Sequence, residues 1–334
     1  MTKVAVVILN YNGSDFLKTF LPTLIKHTPD ADLIVADNCS TDDSLKVLDA
    51  FTEIKTIQLE ENFGYAGGYN KALEQISAKY YILLNSDVEV TANWLAPLVE
   101  YLDQNPKYAA VQPKLLDYQE RHRFEYAGAS GGFLDSLGYP YCRGRIFDHL
   151  ETDEHQYNEV LDIFWSSGAT FLVRSEAFHQ IGGFDSSFFA HMEEIDLCWR
   201  LKSIGYHIAC IPESQVYHVG GGTLNKINPR KTYLNFRNGM RLLVKNLPIE
   251  QLLFKIPLRA FLDFLASFQL LITQSRQHFF AVYQAYWDVL KFIVRDLKNS
   301  PRSKINIENN NVKSIVFQYF IRKVKTFDQL NNTK

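Results

Sequence analysis

The chain has 334 residues, of which 46% are hydrophobic and 22% charged, and its formal net charge is −2. This length corresponds to about two average domains, or to one large α/β domain with an extension. The ordinary composition excludes a disordered, collagen-like or fibrous protein, and the near-neutral charge argues against a general nucleic-acid binder.

Strand and helix signals alternate over about the first hundred residues. Short apolar runs rich in β-branched residues predict four strands, at 4–9, 33–36, 54–59 and 80–84. Helical spacing of apolar residues predicts four helices, at 14–26, 42–51, 65–77 and 94–102. Strands separated by helices of this length indicate a parallel, doubly wound sheet with helices on both faces.

The pattern is irregular from about 108 to 162, where we expect loops and short strands. Regular structure returns with a strand at 164–174, helices at 175–181 and 192–204, and a strand at 207–211 that we expect to end at Pro212.

Beyond residue 246 the sequence predicts amphipathic helices at 252–273 and 279–297. On the first of them, Lys255, Arg259 and Asp263 are spaced to form one polar stripe. A polar linker at 301–311 precedes a short apolar and basic segment at 315–324. Because no run of about 18 uncharged apolar residues occurs, the sequence predicts no transmembrane helix.

The small net charge conceals two oppositely charged parts. Residues 241–334 contain 15 Lys and Arg against 6 Asp and Glu, a net of +9. The first 240 residues contain 20 against 31, a net of −11. We therefore predict an acidic α/β domain over 1–240, followed by a basic, amphipathic helical extension over 241–334.

Acidic motifs follow two of the predicted parallel strands. Asp37-Asn38 follows the second strand, and Asn85-Ser86-Asp87 follows the fourth. Ligands of open parallel sheets bind at this edge. Asp37 could accept a hydrogen bond from a uracil or thymine ring, and Asp87 could bind Mg²⁺ or Mn²⁺ together with substrate phosphates. Both could equally be turn or cap residues.

A glycine-rich segment, Asn62–Asn70, lies between these motifs and begins a predicted helix. Glycines there would let a phosphate approach the first N–H groups of the helix. The turn after the first strand has a single glycine, Gly13, so a dinucleotide cofactor is not expected.

Three carboxylates, Glu193, Glu194 and Asp196, stand at the start of the helix at 192–204. They could be favourable partners of the helix dipole, or one of them could be a general base, with Arg200 orienting a neighbour. Glu194 faces away from the side shared by Glu193, Asp196 and Arg200. His218 follows a strand, and the sequence leaves it open between a structural residue and a metal ligand.

Six motifs occur in the order and spacing found in one family: VAVVILNYNG, VADNCSTD, NFGYAGGYN, LLNSDVEV, SGATFLVR and GGFDSSFFAHMEEIDLCWR. Over about residues 3–240 the chain thereby resembles glycosyltransferase family 2, in its rhamnosyltransferase-like branch. The resemblance implies a catalytic domain with the GT-A fold at 1–240. It also implies a nucleotide-diphosphate sugar donor, a divalent cation (Mn²⁺ or Mg²⁺) and inversion at the anomeric carbon.

Carried over by position, Asp37 resembles the family's acid that contacts the donor's nucleobase. Asp87 resembles the metal-binding second Asp of the family's D-x-D motif, and the first Asp of that motif is replaced by Asn85 here. Glu194 takes the place of the catalytic Asp of a Glu-Asp pair, with Glu193 and Asp196 as other candidates, and His218 falls where some members supply a metal ligand. The donor contacts that we expect are Asn10, Asn12, Asp37, Asn38, Asn62, Gly64, Gly67, Asn70, Asn85 and Ser86. The acceptor contacts that we expect are Trp165, Ser167 and Gly168.

These assignments predict an enzyme that transfers a sugar to a hydroxyl of a saccharide acceptor, in particular a lipid-linked glycan in polysaccharide biosynthesis. The alternatives are a sugar-phosphate nucleotidyltransferase and a non-catalytic scaffold of the same fold. The basic extension could pack on the catalytic domain, pair with a second copy, or bind an anionic membrane through residues 250–325. Four scattered cysteines without a C-x-x-C pair indicate a reducing compartment, so we expect a cytoplasmic protein, peripheral on the inner face of the plasma membrane in the membrane-binding case.

Overall fold

A computed structural model of the chain describes residues 2–220, 228–298 and 312–331. The described strands are β1 (Thr2–Asn10), β2 (Asp32–Asp37), β3 (Ile54–Gln58), β4 (Ala78–Asn85), β5 (Val88–Val90), β6 (Tyr108–Asp117), β7 (Gly132–Leu134), β8 (Pro140–Cys142), β9 (Arg145–Ile146), β10 (His149–Leu150), β11 (Leu161–Asp162), β12 (Thr170–Arg174) and β13 (His207–His218).

The described helices are α1 (Ser14–His27), α2 (Ser44–Leu48), α3 (Gly64–Leu73), α4 (Ala96–Gln104), α5 (Ser175–Gln180), α6 (Glu193–Ser203), α7 (Pro229–Asn246), α8 (Ile249–Thr273), α9 (Arg276–Lys298), α10 (Ile315–Phe320) and α11 (Phe327–Asn331). A 3₁₀ turn at Ser186–Phe188 precedes α6.

Nine of the described strands form one mixed sheet in the order β11-β13-β6-β12-β4-β1-β2-β3, with β5 paired to β13. Strands β1 to β4 are mutually parallel where they pair, and β6 runs parallel to β13, whereas β12 is antiparallel to both β4 and β6. The remaining strands, β7 to β10, form a small antiparallel sheet. The expected doubly wound, mostly parallel sheet is therefore confirmed.

The side chains of β1 show why the sheet is covered on both faces. Val4, Val6 and Ile8 point into one buried apolar cluster, and Ala5 and Val7 point into another on the opposite face. A strand enclosed on both sides needs a continuous apolar run, which is the pattern that the sequence shows.

Two strand predictions were wrong in extent. Strand β13 continues past Pro212 to His218. Its pairing with β6 shifts register between Ile211 and Gln215, so Pro212, which has no N–H to donate, is left out of the ladder and does not end the strand. Strand β12 begins at Thr170 rather than at 164. The longer β13 has a functional consequence, since it carries His218 to the edge of the sheet where Asp87 lies.

The predicted extension contains the end of α7 and the helices α8 to α11, and the linker predicted at 301–311 lies outside the described residues. The predicted boundary at residue 240 falls inside α7, which is continuous from Pro229 to Asn246. Helix α8 is long and apolar enough to cross a membrane, by length and composition alone. The sequence did not predict such a helix because three charged residues interrupt its apolar run, and all three are buried here.

Candidate active site

The parallel strands bring the predicted donor-binding residues to one edge of the sheet. Asn10 at the end of β1 pairs in register with Asp37 at the end of β2, and Leu9 pairs with Asn85 at the end of β4. The loop after β1 is adjacent to the one after β4, since a Cβ added at Gly13 would lie 3.3 Å from the Ser86 hydroxyl oxygen.

Asp37 organises the two loops around it. One of its carboxylate oxygens accepts from Asn10 Nδ2 at 3.0 Å, and the other accepts from the Ser40 N–H at 2.8 Å. Asn12, in the left-handed region at φ 53°, accepts from the Thr41 N–H at 2.7 Å. Asp37 is almost wholly buried beneath these loops.

The glycine-rich segment uses its first helical N–H groups within the protein. Tyr65 N and Ala66 N both donate to the carbonyl of Phe189, at 2.7 and 3.3 Å, in the loop before α6. Asn62 Oδ1 accepts from the Gly64 N–H at 2.9 Å. The phosphate contact expected of these N–H groups is thus replaced by a contact to the loop before α6.

The other predicted donor residues on this segment also have protein partners. Asn38 bonds to Asn62 and to the Gly64 carbonyl, and Asn70 binds both the N–H and the carbonyl of Phe184. Gly67 allows close packing, because a Cβ there would lie 2.9 Å from that of Phe63.

Asp87 and His218, separated by 131 residues, form a buried pair with 3.1 Å between Asp87 Oδ1 and His218 Nε2. The other ring nitrogen, Nδ1, lies 3.1 Å from a Glu125 carboxylate oxygen. Burial alone would lower the pKa of His218, but the two flanking carboxylates raise it well above its ordinary value. Within the part of the chain that is described, no group of three or more His, Cys, Asp and Glu side chains is arranged to hold a metal ion.

Glu193 and Glu194 begin α6 directly after Met192, whose backbone is left-handed at φ 71°. Burial raises the pKa of Glu194 to about 7. Burial and then the neighbouring Glu194 charge raise the pKa of Glu193 well above the usual carboxyl range. One carboxyl oxygen of each residue is buried without a hydrogen-bond partner in the protein, so neither oxygen is committed to another protein group.

Gly168 and Tyr65 border Glu194. A Cβ added at Gly168 would lie 3.8 Å from Glu194 Cδ, and the Tyr65 hydroxyl donates to the Gly168 carbonyl at 2.6 Å. The absence of a side chain at Gly168 therefore keeps the space beside the carboxyl group open.

Asp196 occupies a different environment from the two glutamates. It is fully buried and accepts from Arg200 Nε at 2.7 Å, Lys245 Nζ at 2.8 Å and Asn246 Nδ2 at 2.9 Å. Burial alone would raise the pKa of Asp196, but these cations hold it below its ordinary value. Asp196 thus joins α6 to α7.

Two of the predicted acceptor residues are enclosed by protein. The Trp165 ring packs on Gly132, and its indole N–H donates to the Phe133 carbonyl at 2.9 Å. The Ser167 hydroxyl donates to the Ala127 carbonyl at 2.8 Å. Of the three, Gly168 alone borders the glutamates.

Sequence reasoning missed several residues of this region. Tyr65 belongs to a motif that was recognised but was not assigned a contact. Glu125 and Lys245 carry no local signal, because one lies in an irregular loop and the other among the many basic residues of the extension. Their roles depend on contacts between segments that are distant in sequence.

Comparisons with known proteins point to one family. Residues 5–182 match the family model described as Glycosyl transferase family 2. The O-antigen biosynthesis protein RfbC of Myxococcus xanthus is 27% identical over 65% of this chain, which spans 17% of that protein. The N-acetylglucosaminyl-diphospho-decaprenol L-rhamnosyltransferase of Mycobacterium tuberculosis is 26% identical over 64% of this chain and 75% of that enzyme.

Among solved structures, that of GalNAc-T7 with UDP, GalNAc and Mn²⁺ superposes with a TM-score of 0.59, at 16% identity, over 90% of this chain and 58% of that one. At this identity the likeness concerns the fold alone, and it confirms the expected GT-A architecture. The family match extends over more than half of the chain, and together with the named relatives it confirms the expected activity class. The chain belongs to glycosyltransferase family 2, in its rhamnosyltransferase-like branch, and is a glycosyltransferase with the GT-A fold.

Proposed function

We propose that this enzyme transfers a sugar, with inversion, from a nucleotide diphosphate to a hydroxyl group of a saccharide acceptor, and that Glu194 is the general base. The observation that carries the proposal is the Glu194 carboxyl group beside Gly168, with its pKa raised to about 7. A base acts best when its pKa lies near the working pH. Glu193 shares the site, and burial and the neighbouring Glu194 charge raise its pKa as well.

The reaction needs one proton transfer and one displacement. Glu194 takes the proton of the acceptor hydroxyl while the oxygen attacks the anomeric carbon, and the bond from that carbon to the diphosphate breaks on the opposite side. Holding both reactants in line lowers the barrier by several kcal/mol, on the order of the gain known for intramolecular reactions.

Asp87 and His218 would hold a divalent cation once His218 Nε2 gives up the proton that the two flanking carboxylates favour. Their donor set, one carboxylate and one imidazole, suits Mn²⁺ when substrate phosphates and water complete the coordination. When bound, such an ion neutralises charge that develops on the leaving diphosphate. Glu125 would orient the imidazole through its other nitrogen, as acidic partners of metal-bound histidines commonly do.

The donor nucleotide would bind at the ends of β1, β2 and β4. Asp37 retains unused lone pairs beside the Asn10 and Ser40 contacts, and Asn85 and Ser86 lie half-buried directly before Asp87. In this arrangement the nucleobase of the donor lies near Asp37, and its diphosphate reaches Asp87.

For the acceptor we propose a lipid-linked saccharide at an anionic membrane, with the enzyme peripheral on its cytoplasmic face. The named mycobacterial relative acts on a diphospho-decaprenol. The extension of this chain supplies a basic segment of net +9.

The test is a panel of nucleotide sugars incubated with the purified full chain and Mn²⁺ or Mg²⁺. We expect release of a nucleoside diphosphate, which Glu194→Gln abolishes while the protein stays folded. Glu176→Gln is the matched control, since Glu176 also lies in the first turn of a helix but is exposed. Full activity in Glu194→Gln would exclude this base, and release of pyrophosphate instead of a nucleoside diphosphate would indicate a nucleotidyltransferase.

A further inference from the structure

Helix α8 has its polar side inward and its apolar side outward. Lys255, Arg259, Asp263 and Ser267 recur every four residues and are all buried. On the opposite side, Leu253, Phe254 and Ile272 are 73%, 79% and 84% exposed. Between residues 251 and 275 the chain has no other charged side chains, so this exposed face carries no charge.

The buried stripe is fixed to the rest of the protein by specific contacts. Arg259 Nε donates to both oxygens of Asp263 at 3.0 Å, its Nη1 donates to the Leu137 carbonyl at 3.1 Å, and its guanidinium lies 3.7 Å from the centre of the Tyr139 ring. Asp263 also accepts from the hydroxyls of Tyr139 and Tyr286, at 2.6 and 2.8 Å. These contacts prevent α8 from rotating to bury its apolar face.

The neighbouring helix α9 extends the apolar surface. On α9, one stripe of exposed residues comprises Phe280, Tyr283, Trp287, Leu290 and Val294, and Tyr283 lies 6.0 Å from Phe264 of α8 between ring centres. We call these exposed residues of α8 and α9 the apolar face. Elsewhere in the extension, at the end of α10, Phe317, Phe320 and Ile321 are also exposed and are followed directly by exposed Arg322 and Lys323.

We propose that the apolar face binds an anionic lipid bilayer and that α8 lies flat on the bilayer rather than across it. Bulky apolar residues exposed side by side on two packed helices mark an interaction site. Bulky apolar residues flanked by Arg and Lys are typical of helices that lie in a membrane interface. The proposal rests on the proposed function for its purpose, since the bilayer would present the lipid-linked acceptor.

Charge favours a bilayer over a second copy of the chain. Residues 241–334, which carry the apolar face, have a net charge of +9, and residues 1–240 have a net charge of −11. An anionic leaflet attracts the first part and repels the second, which orients the enzyme. A symmetric dimer through the same face would instead bring two segments of +9 together.

The contacts of the helices that flank α8 argue against a crossing. Helices α7 and α9 are joined by the ion pair of Arg241 Nε with Asp296 at 2.7 Å and by the hydrogen bond of Tyr233 with Asp288 at 2.8 Å. A crossing by α8 alone would place α7 and α9 on opposite sides of the bilayer and break both contacts. A crossing would also place Lys255, Arg259 and Asp263 in the hydrocarbon layer, away from their partners.

Binding is tested by flotation of the full chain with vesicles of phosphatidylglycerol and phosphatidylcholine, and with vesicles of phosphatidylcholine alone. We expect flotation with the anionic vesicles that falls at least tenfold in Phe254→Asp/Ile272→Asp. Ile204→Asp is the matched control, because Ile204 is also exposed and apolar but lies on the catalytic domain. No donor or acceptor is present, so a failure of the proposed function leaves this measurement intact.

Depth is measured on Trp287, which is 67% exposed while Trp94, Trp165 and Trp199 are buried. We expect its emission to shift to the blue on vesicles and to be quenched more by lipids brominated near the headgroup than by lipids brominated near the chain end. Resistance of the membrane-bound protein to carbonate extraction would show a crossing helix and overturn the proposal. A stable dimer that does not float would overturn it in favour of a second copy.

A second, independent observation concerns the loop at 186–192 that leads into Glu193 and Glu194. Phe189, His191 and Met192 adopt left-handed φ of 67°, 68° and 71°. Side chains other than glycine hold this conformation only when surrounding contacts enforce it. Residues of α7 supply such contacts.

Asn238 is the centre of these contacts. Its fully buried Nδ2 lies 3.0, 2.9 and 2.7 Å from the carbonyl oxygens of Phe188, Ala190 and His191. Arg237 Nη2 adds a hydrogen bond to the Phe188 carbonyl at 2.8 Å. We infer that Asn238 is a positioning residue for the two glutamates, which it does not itself touch; this inference also rests on the proposed function.

Asn238→Asp preserves shape but removes the donors. We expect a fall in kcat of at least tenfold with little change in the donor KM, and a shift of the acidic limb of the pH profile. Val244→Ala, a buried change on the same helix, lowers stability without either effect. Amide exchange in 186–192, measured without substrate, should accelerate in Asn238→Asp alone. Unchanged exchange and an unchanged pH profile would overturn the inference, whatever the enzyme's reaction proves to be.

Discussion

Asp87 and His218 lie 3.1 Å apart because β5 pairs with the last residues of β13. His218 is in register with Val88, the residue after Asp87. The pair is therefore fixed by strand pairing rather than by a flexible loop. If the pair holds an ion, as we propose, its rigidity means that little conformational freedom is lost on binding.

The first prediction concerns Glu125, which contacts His218 from the side opposite Asp87. Glu125→Gln should weaken Mn²⁺ binding by about tenfold, in the range known for acidic partners of metal-bound histidines. Free Mn²⁺, counted by electron paramagnetic resonance in a titration of the purified protein, measures this directly. Glu120→Gln, an exposed change nearby in sequence, should leave binding unaltered. Equal affinity in all three proteins would show that the geometry is not used for a metal.

The edge of the sheet was predictable from sequence, and the contacts across it were not. Apolar runs that end in Asp37 and Asn85 identify buried parallel strands and place both residues at one edge. The register shift that carries β13 past Pro212 has no sequence signal, so the distance from His218 to Asp87 could not be deduced. The same limit applies to Asp196, whose partners Lys245 and Asn246 lie on a helix assigned to the extension.

The inverted orientation of α8 was only half predictable. Spacing identified the stripe of Lys255, Arg259 and Asp263, but periodicity defines two faces without stating which one is buried. That choice depends on Tyr139 and Tyr286, which supply aromatic and hydroxyl partners to the stripe.

The second prediction is the pH dependence of transfer. Glu194 must be ionised to accept a proton, and burial raises its pKa to about 7. The rate should therefore fall about tenfold per pH unit below pH 7 and level off above it. The apparent pKa of this acidic limb of the pH–rate profile belongs to Glu193 and Glu194 as a pair, because two neighbouring carboxyl groups titrate together. A limb near pH 4.5, the ordinary carboxyl value, would contradict a buried base.

The same raised pKa predicts a change in stability. Between pH 4.5 and about 7 the folded protein retains a proton on Glu194 that the unfolded chain has released. Stability therefore decreases as pH rises through this window. Glu194→Gln lacks this decrease, so its free energy of unfolding relative to wild type should rise from pH 5 to pH 8. Urea unfolding at both pH values measures the difference, and a difference independent of pH would contradict the shift.

The third prediction separates Asp196 from Glu194, the proposed base, and its neighbour Glu193. Asp196→Asn should destabilise the fold by about 3–5 kcal/mol, because it leaves the buried charge of Arg200 without its carboxylate partner and leaves Lys245 paired with Asp185 alone. Chemical unfolding measures the loss, with Asp15→Asn on exposed α1 as the control. A variant of Asp196 that keeps full stability and loses only turnover would return Asp196 to the candidates for the base.

The fourth prediction tests whether α3 supports the loop before α6. Gly64 has a φ of +70°, and a Cβ there would lie 2.6 Å from the Phe189 carbonyl oxygen that α3 binds. Gly182 has a φ of +75°, but a Cβ there would meet nothing within 4 Å. Substitution by alanine forces a left-handed alanine at either position, at a cost of roughly 1–2 kcal/mol.

Gly64→Ala must also displace the Phe189 backbone, which leads to Glu193 and Glu194. We therefore expect Gly182→Ala to lower the melting temperature slightly and keep its turnover per folded molecule. Gly64→Ala should lower turnover at least tenfold in the fraction that remains folded. Because both variants carry the same backbone strain, equal turnover per folded molecule would show that the contact between α3 and Phe189 does not position the glutamates.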